Sequence, residues 1–144
     1  MNTRMIEVEN LSFSYGRRKS KVLEDFSMKL DKGSVYGLLG KNGTGKSTLL
    51  YLMAGLLRPQ AGNVLYKGVD VKKRYPDTLQ DMFLVPEEFA LPNVSLKQYV
   101  KLNAPFYPNF SDELLNVCLR DFDMNVDIHL GELSMGQKKK AFMC

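Results

Sequence analysis

A chain of 144 residues is about the size of one average domain. Its 44% apolar and 25% charged content matches the globular norm and excludes a disordered or low-complexity chain. With 20 Lys and Arg against 16 Asp and Glu, the net charge of +4 suits polyanionic ligands without demanding nucleic acid, and none is expected as a partner.

The first residues, Met1 to Glu7, carry no apolar run behind Arg4, so no secretory signal is expected. Ile6 and Val8 alternate with Glu7 and Glu9, and Leu11, Phe13 and Tyr15 resume the alternation. The pattern predicts one or two short strand segments with one buried face. Arg17, Arg18, Lys19 and Lys21 predict a basic loop. Phe26 to Leu30 alternates again, and Asp31-Lys32-Gly33 reads as a turn. Ser34-Val35-Tyr36-Gly37-Leu38-Leu39 is apolar on both faces, which predicts a buried central strand.

Directly after that run, Gly40-Lys41-Asn42-Gly43-Thr44-Gly45-Lys46-Ser47-Thr48 matches G-x-x-x-x-G-K-[ST]. The glycines Gly40, Gly43 and Gly45 allow a tight turn and bring backbone N–H groups close to phosphate oxygens. Asn42 falls within the same turn. A helix beginning at Lys46 aims its first amides and its positive dipole end at the same anion. Lys46 reaches the β- and γ-phosphates, Ser47 offers a hydroxyl to Mg²⁺, and Thr48 packs behind it. The helical stripe is Leu49, Leu50, Met53, Leu56 and Leu57, ended by Pro59 and Gly62. This stretch, Leu49 to Leu57, is the longest apolar one and is too short for the ~20 residues a bilayer span needs. Any membrane link is therefore expected through a partner.

Asn63 to Tyr66 predicts a strand closed by Lys67-Gly68, and Met82 to Val85 is an apolar run cut off by Pro86. Helical signals follow. Ser95 with Gln98 forms a capping-box pattern, and Ser111-Asp112-Glu113 supplies an N-cap candidate with acids in the first turn. The stripe of that second helix is Leu114, Leu115, Cys118, Leu119 and Phe122. Cys118 and Cys144 make no disulfide framework, so a reducing compartment is expected. Ser134 and Gln137 repeat the capping-box spacing inside Leu133-Ser134-Met135-Gly136-Gln137, followed by Lys138 to Lys140. A helix start, a glycine backbone and a serine hydroxyl together make an anion receptor; a plain capped helix with a solvated basic face has the same local pattern.

With the phosphate loop and this second segment together, the chain resembles the ATP-binding subunit of ABC transporters, whose signature reads LSGGQ. Here the segment is LSMGQ, with Met135 at the third position. The resemblance implies an α/β fold: a P-loop NTPase core of the ABC ATPase type, with an antiparallel β subdomain and a helical subdomain, incomplete at the C-terminus. It implies a β subdomain and P-loop core over 1–87, a helical subdomain over 88–133, and the start of the signature helix over 134–144. It also implies ATP and Mg²⁺ as ligands, and a head-to-tail dimer with a second nucleotide-binding subunit. In that dimer Ser134, Gly136 and Gln137 of one copy grip the γ-phosphate held by the loop of the other. Tyr15 falls where the family places an aromatic on adenine, although a tyrosine at a strand end also serves as ordinary packing. Glu87 takes the place of a Gln that contacts Mg²⁺ and the attacking water, and becomes a catalytic and metal candidate beside Lys46 and Ser47. A rival reading of Met82 to Val85 as the strand before a Walker B carboxylate fails, because Pro86 intervenes and Glu87 precedes the signature. His129 also precedes it and so is not the family's switch histidine.

The resemblance further implies an ATPase that drives transport through transmembrane permease subunits, peripheral at the cytoplasmic face. The family's Walker B strand, its Mg²⁺ Asp, its general base and its switch His all lie beyond Cys144, so the 144-residue chain alone is expected to bind nucleotide weakly at best and to hydrolyse ATP negligibly. Three alternatives stay open: a non-transport ATPase of the same type, a nucleotide-binding module without turnover, and a small-molecule kinase. The last needs an Arg-rich lid, and residues 111–122 carry only Arg120.

Overall fold

A computed structural model of the chain describes residues 4–16 and 20–144. Met1 to Thr3, and Arg17, Arg18 and Lys19 of the expected basic loop, lie outside the described residues. The chain divides into two compact units, Met1–Met82 and Phe83–Cys144.

The first unit runs β1 (Arg4–Phe13), β2 (Leu23–Asp31), α1 (Lys46–Met53), β3 (Ala61–Tyr66), β4 (Val69–Asp70) and α2 (Pro76–Leu79). Its sheet has the order β2-β1-β3-β4 with every neighbour antiparallel. The two alternating sequence segments are one strand, β1, interrupted by a bulge. Val8 and Leu11 are both buried although three residues apart, because the register shifts between them. Asn10 sits there at φ 47, facing Asp25 of β2 at φ 48. The Asn10 amide side chain donates to Asp25 Oδ1 at 2.7 Å, the Asn10 N–H to Ser27 Oγ at 2.9 Å, and the Asp25 N–H to Ser12 Oγ at 3.0 Å. The last two satisfy backbone N–H groups that the bulge withdraws from the ladder.

The core of this unit sets Val8, Leu11, Phe13 and Val64 of the sheet against Leu49, Leu52 and Met53 of α1. Of the expected α1 stripe, Leu50 and Leu56 are exposed, and Leu52 is buried instead. The helix stops at Ala54, where the Gly55 N–H bonds the Leu52 carbonyl at 3.0 Å, well before Pro59. The segment after β4 returns to the sheet through Asp81. Its carboxylate accepts from Lys67 Nζ at 2.7 Å and from Tyr66 Oη at 2.8 Å, and these bonds, the lysine's first, hold it below the usual carboxylate range.

One expectation fails. Residues 34–40 form no strand, and every one of them is exposed, Val35 at 102% and Leu39 at 94%. The apolar run has the composition of a central strand, but no strand among the described residues pairs with it. A strand needs partners for its backbone as well as the right side chains. Met82 to Val85 likewise forms no strand.

The second unit contains α3 (Leu96–Asn103), α4 (Asp112–Asp121) and α5 (Met135–Met143). Each begins where a serine precedes it. Ser95, Ser111 and Ser134 each accept the N–H of the residue three positions on, and Gln98 and Gln137 reach back to complete capping boxes. Leu96, Leu115, Leu119, Leu130, Leu133 and Ala141 form the core. The acids of the α4 first turn face its positive dipole end, as expected, while Leu114 of the predicted stripe is exposed. Backbone bonds from Leu96 to Ile128 (2.9 Å) and Leu130 to Val94 (2.9 Å) hold the start of α3 to the segment that leads into α5. Phe142 of α5 gathers Phe83, Phe89 and Tyr99 around it, with ring centroids 4.7–5.7 Å away.

Candidate phosphate-binding site

The loop 40–45 is built around its lysine. Lys46 Nζ donates to the carbonyls of Gly40 and Lys41, both at 2.7 Å, and so draws the loop's two ends together. Thr44 reinforces the curl with an Oγ1 bond to the Lys41 carbonyl at 2.8 Å. Gly43 at φ 83 and Gly45 at φ 92 occupy the left-handed region, where a side chain is strained. A Cβ on Gly45 would also lie 2.7 Å from Val22 Cγ1, so the loop rests closely on the approach to β2.

Gly45 is the N-cap of α1. No side chain caps this helix and no acid lies in its first turn, unlike the serine-capped helices of the second unit. Among the described residues, the amides of Lys46, Ser47 and Thr48 therefore meet no protein acceptor. Three free amides, an ammonium and a helix dipole converge there. The donor set fits a phosphate chain.

Tyr15 stands beside this loop. Its hydroxyl shares a 2.8 Å hydrogen bond with Thr48 Oγ1, and its ring meets Phe13 edge-on at 5.0 Å while staying 57% exposed. Thr48 is thus buried under the tyrosine. Sequence reading missed Gln60, whose Nε2 donates to Ser14 Oγ at 2.7 Å while that hydroxyl bonds the Gly16 carbonyl at 3.1 Å. Gln60 therefore positions the turn that carries Tyr15. No spacing rule points to it, because the contact spans β1 to the start of β3.

In the second unit, Ser134, Gly136 and Gln137 lie together at the exposed start of α5. The Gln137 N–H donates to Ser134 Oγ at 3.3 Å and the Ser134 N–H to Gln137 Oε1 at 3.0 Å. Ser134 and Gly136 are both exposed there. A Cβ at Gly136 would meet nothing within 4 Å. Gly136→Ala is expected to keep the turn and raise stability by up to ~1 kcal/mol, read from thermal unfolding. A functional loss in that variant would then report on ligand approach. Glu87 is exposed in the irregular segment after Pro86. No cluster of three His, Cys, Asp or Glu side chains forms among the described residues, and no helix among them is long and apolar enough to cross a membrane.

A glycine-bearing loop closed by its own lysine, ahead of an uncapped helix, is the local architecture of phosphate-loop proteins. The family model described as ABC transporter matches residues 23–144, and the chain belongs to that family. It is 32% identical over 137 residues to the ABC transporter ATP-binding protein YtrB of Bacillus subtilis (strain 168), covering 94% of this chain and 46% of that one. It is 31% identical to YybJ, an uncharacterized ABC transporter ATP-binding protein of the same organism, covering 94% of this chain and 62% of the relative. Among solved structures, an ATP binding subunit of an ABC transporter superposes with a TM-score of 0.82 at 27% identity, over 96% of this chain and 60% of that one. The chain thus spans about half to two-thirds of the length of these relatives. Its fold is of the ABC ATPase type, with the antiparallel sheet and the helical part both present.

Proposed function

We propose that this chain supplies the ATP-binding surface of an ABC transporter's ATP-binding subunit. The observation that carries the reading is the Lys46-closed loop facing the uncapped start of α1, with the exposed Tyr15 ring beside it. The amides of Lys46, Ser47 and Thr48 bind the phosphate chain, Lys46 exchanges its two loop carbonyls for β- and γ-oxygens, and Tyr15 stacks on the base. The Ser47 hydroxyl is a hard oxygen donor of the kind Mg²⁺ takes, and that ion needs only one or two protein oxygens beside phosphates and water. When bound, Mg²⁺ neutralises the charge that builds between the β- and γ-phosphates. Glu87 lies in the second unit, and its role at Mg²⁺ and the attacking water is proposed from the family resemblance alone.

In the working assembly Ser134, Gly136 and Gln137 face the nucleotide of a second copy, head to tail. Closing and opening of that dimer is passed to permease subunits at the cytoplasmic face. Hydrolysis belongs to the assembled transporter. A polypeptide of these 144 residues is expected to bind ATP without multiple turnover.

Titration with ATP and with inorganic triphosphate, each with Mg²⁺, tests the base-stacking assignment. Tyr15→Ala is expected to weaken ATP roughly 5- to 150-fold, since one base–aromatic stack is worth about 1–3 kcal/mol. Triphosphate affinity should stay unchanged. Equal losses for both ligands would show that Tyr15 acts only by packing on Thr48.

A further inference from the structure

Tyr15 offers its ring to solvent while the rest of the residue is held. An exposed tyrosine ordinarily samples several rotamers, and a base that stacks on it must first fix one. Three separate contacts already fix this one. Its hydroxyl shares the 2.8 Å bond with Thr48 Oγ1 in the first turn of α1, and its ring stands edge-on to Phe13 at 5.0 Å. The third contact is indirect. Ser14 Oγ lies 2.7 Å from Gln60 Nε2 and 3.1 Å from the Gly16 carbonyl, so the two residues that flank Tyr15 are tied to each other and to Gln60. Gln60 Nε2 also lies 3.4 Å from the Ser14 carbonyl. Ser14 is buried, which shields the link from competing water. The Gln60 backbone N–H bonds the Ser12 carbonyl at 2.9 Å, so the start of β3 stays paired to β1 whatever side chain stands at position 60.

We propose that Gln60 is a specificity-determining positioning residue, in a role that rests on the proposed ATP binding. Acting through Ser14, it holds the Tyr15 ring in its stacking pose before nucleotide arrives, and so sets the preference for a nucleoside triphosphate over a bare polyphosphate. Ordering the ring in advance removes a cost that base binding would otherwise carry. The bonds of Gln60 run to Ser12 and Ser14, and among the described residues none reaches the phosphate loop or α1. Its loss should therefore fall on the base and spare the phosphates.

The test is calorimetric titration with Mg²⁺–ATP and with Mg²⁺–triphosphate on the 144-residue chain, Gln60→Ala, Tyr15→Ala and the double variant. Gln60→Ala is expected to weaken ATP roughly fivefold, the net worth of one hydrogen bond, and to leave triphosphate unchanged. In the Tyr15→Ala background the same substitution should change neither affinity, because no ring remains to be positioned. A purely structural role would move both ligands and persist in that background, and either result would overturn the proposal. Ser14→Ala removes the same link from its other side. It should reproduce the Gln60→Ala loss, and the two substitutions together should lose no more than one alone; additive losses would refute the path through Ser14. The two readings fail separately. An ATP-selective loss in Tyr15→Ala with none in Gln60→Ala keeps base stacking and removes Gln60 from it. Equal losses for both ligands in Tyr15→Ala remove base stacking itself, and the role of Gln60 with it.

Discussion

Lys46→Ala is expected to lower ATP affinity by roughly 100-fold, the loss of one or two charge-assisted hydrogen bonds of about 1.5–3 kcal/mol each. The geometry gives this substitution two separate effects. It removes the cation that meets the phosphates, and it frees the carbonyls of Gly40 and Lys41, each now 2.7 Å from the ammonium. Without that clasp the loop loses the bonds that draw its ends together, so the amides of Lys46 to Thr48 are no longer opposed by a formed loop. Calorimetric titration with Mg²⁺–ATP measures the loss, and affinities within twofold of each other would remove the loop from the binding site. Multiple turnover by the 144-residue polypeptide that disappears in Lys46→Ala would refute the assignment of hydrolysis to a larger assembly.

The largest effect on folding is expected at Gly62. A Cβ there would sit 2.3 Å from the Glu9 carbonyl oxygen and 2.4 Å from that of Asn10. Both atoms belong to the bulge that re-phases β1, and neither can withdraw without breaking the register with β3. The residue also holds φ +77, which costs an L side chain roughly 1–2 kcal/mol. Gly62→Ala should therefore cost about 3–4 kcal/mol, a large share of a domain's 5–15. Gly68→Ala is the matching control, because it shares a left-handed φ of +81 but has nothing within 4 Å of its Cβ. It should lose only the backbone cost. Urea unfolding separates the two, and equal losses would mean that the bulge yields.

Where a feature depends on residues three or four apart, it was legible in the sequence. Ser95 with Gln98 and Ser134 with Gln137 form both bonds of their capping boxes, since that geometry is settled within one helical turn. The glycine loop and its lysine were legible for the same reason. Features set by distant partners were not. The break in phase between Val8 and Leu11 marks the bulge, yet nothing in β1 alone reveals that Gly62 fits against it. Family likeness singles out Tyr15, while its bond to Thr48 and the support from Gln60 arise only once β1, α1 and β3 meet. The apolar run at 34–39 shows the limit most sharply: hydrophobicity states what a segment would bury, but cannot supply the neighbours that bury it.

That uncovered run ends at Gly40, whose carbonyl is one of the two that clasp Lys46. Whatever chain segment comes to lie along residues 34–39 will therefore set where the loop begins, so tertiary assembly and readiness for nucleotide are mechanically joined. While it is uncovered, Val35 and Leu39 leave apolar surface open to association, and the colloidal behaviour of this polypeptide should worsen with concentration.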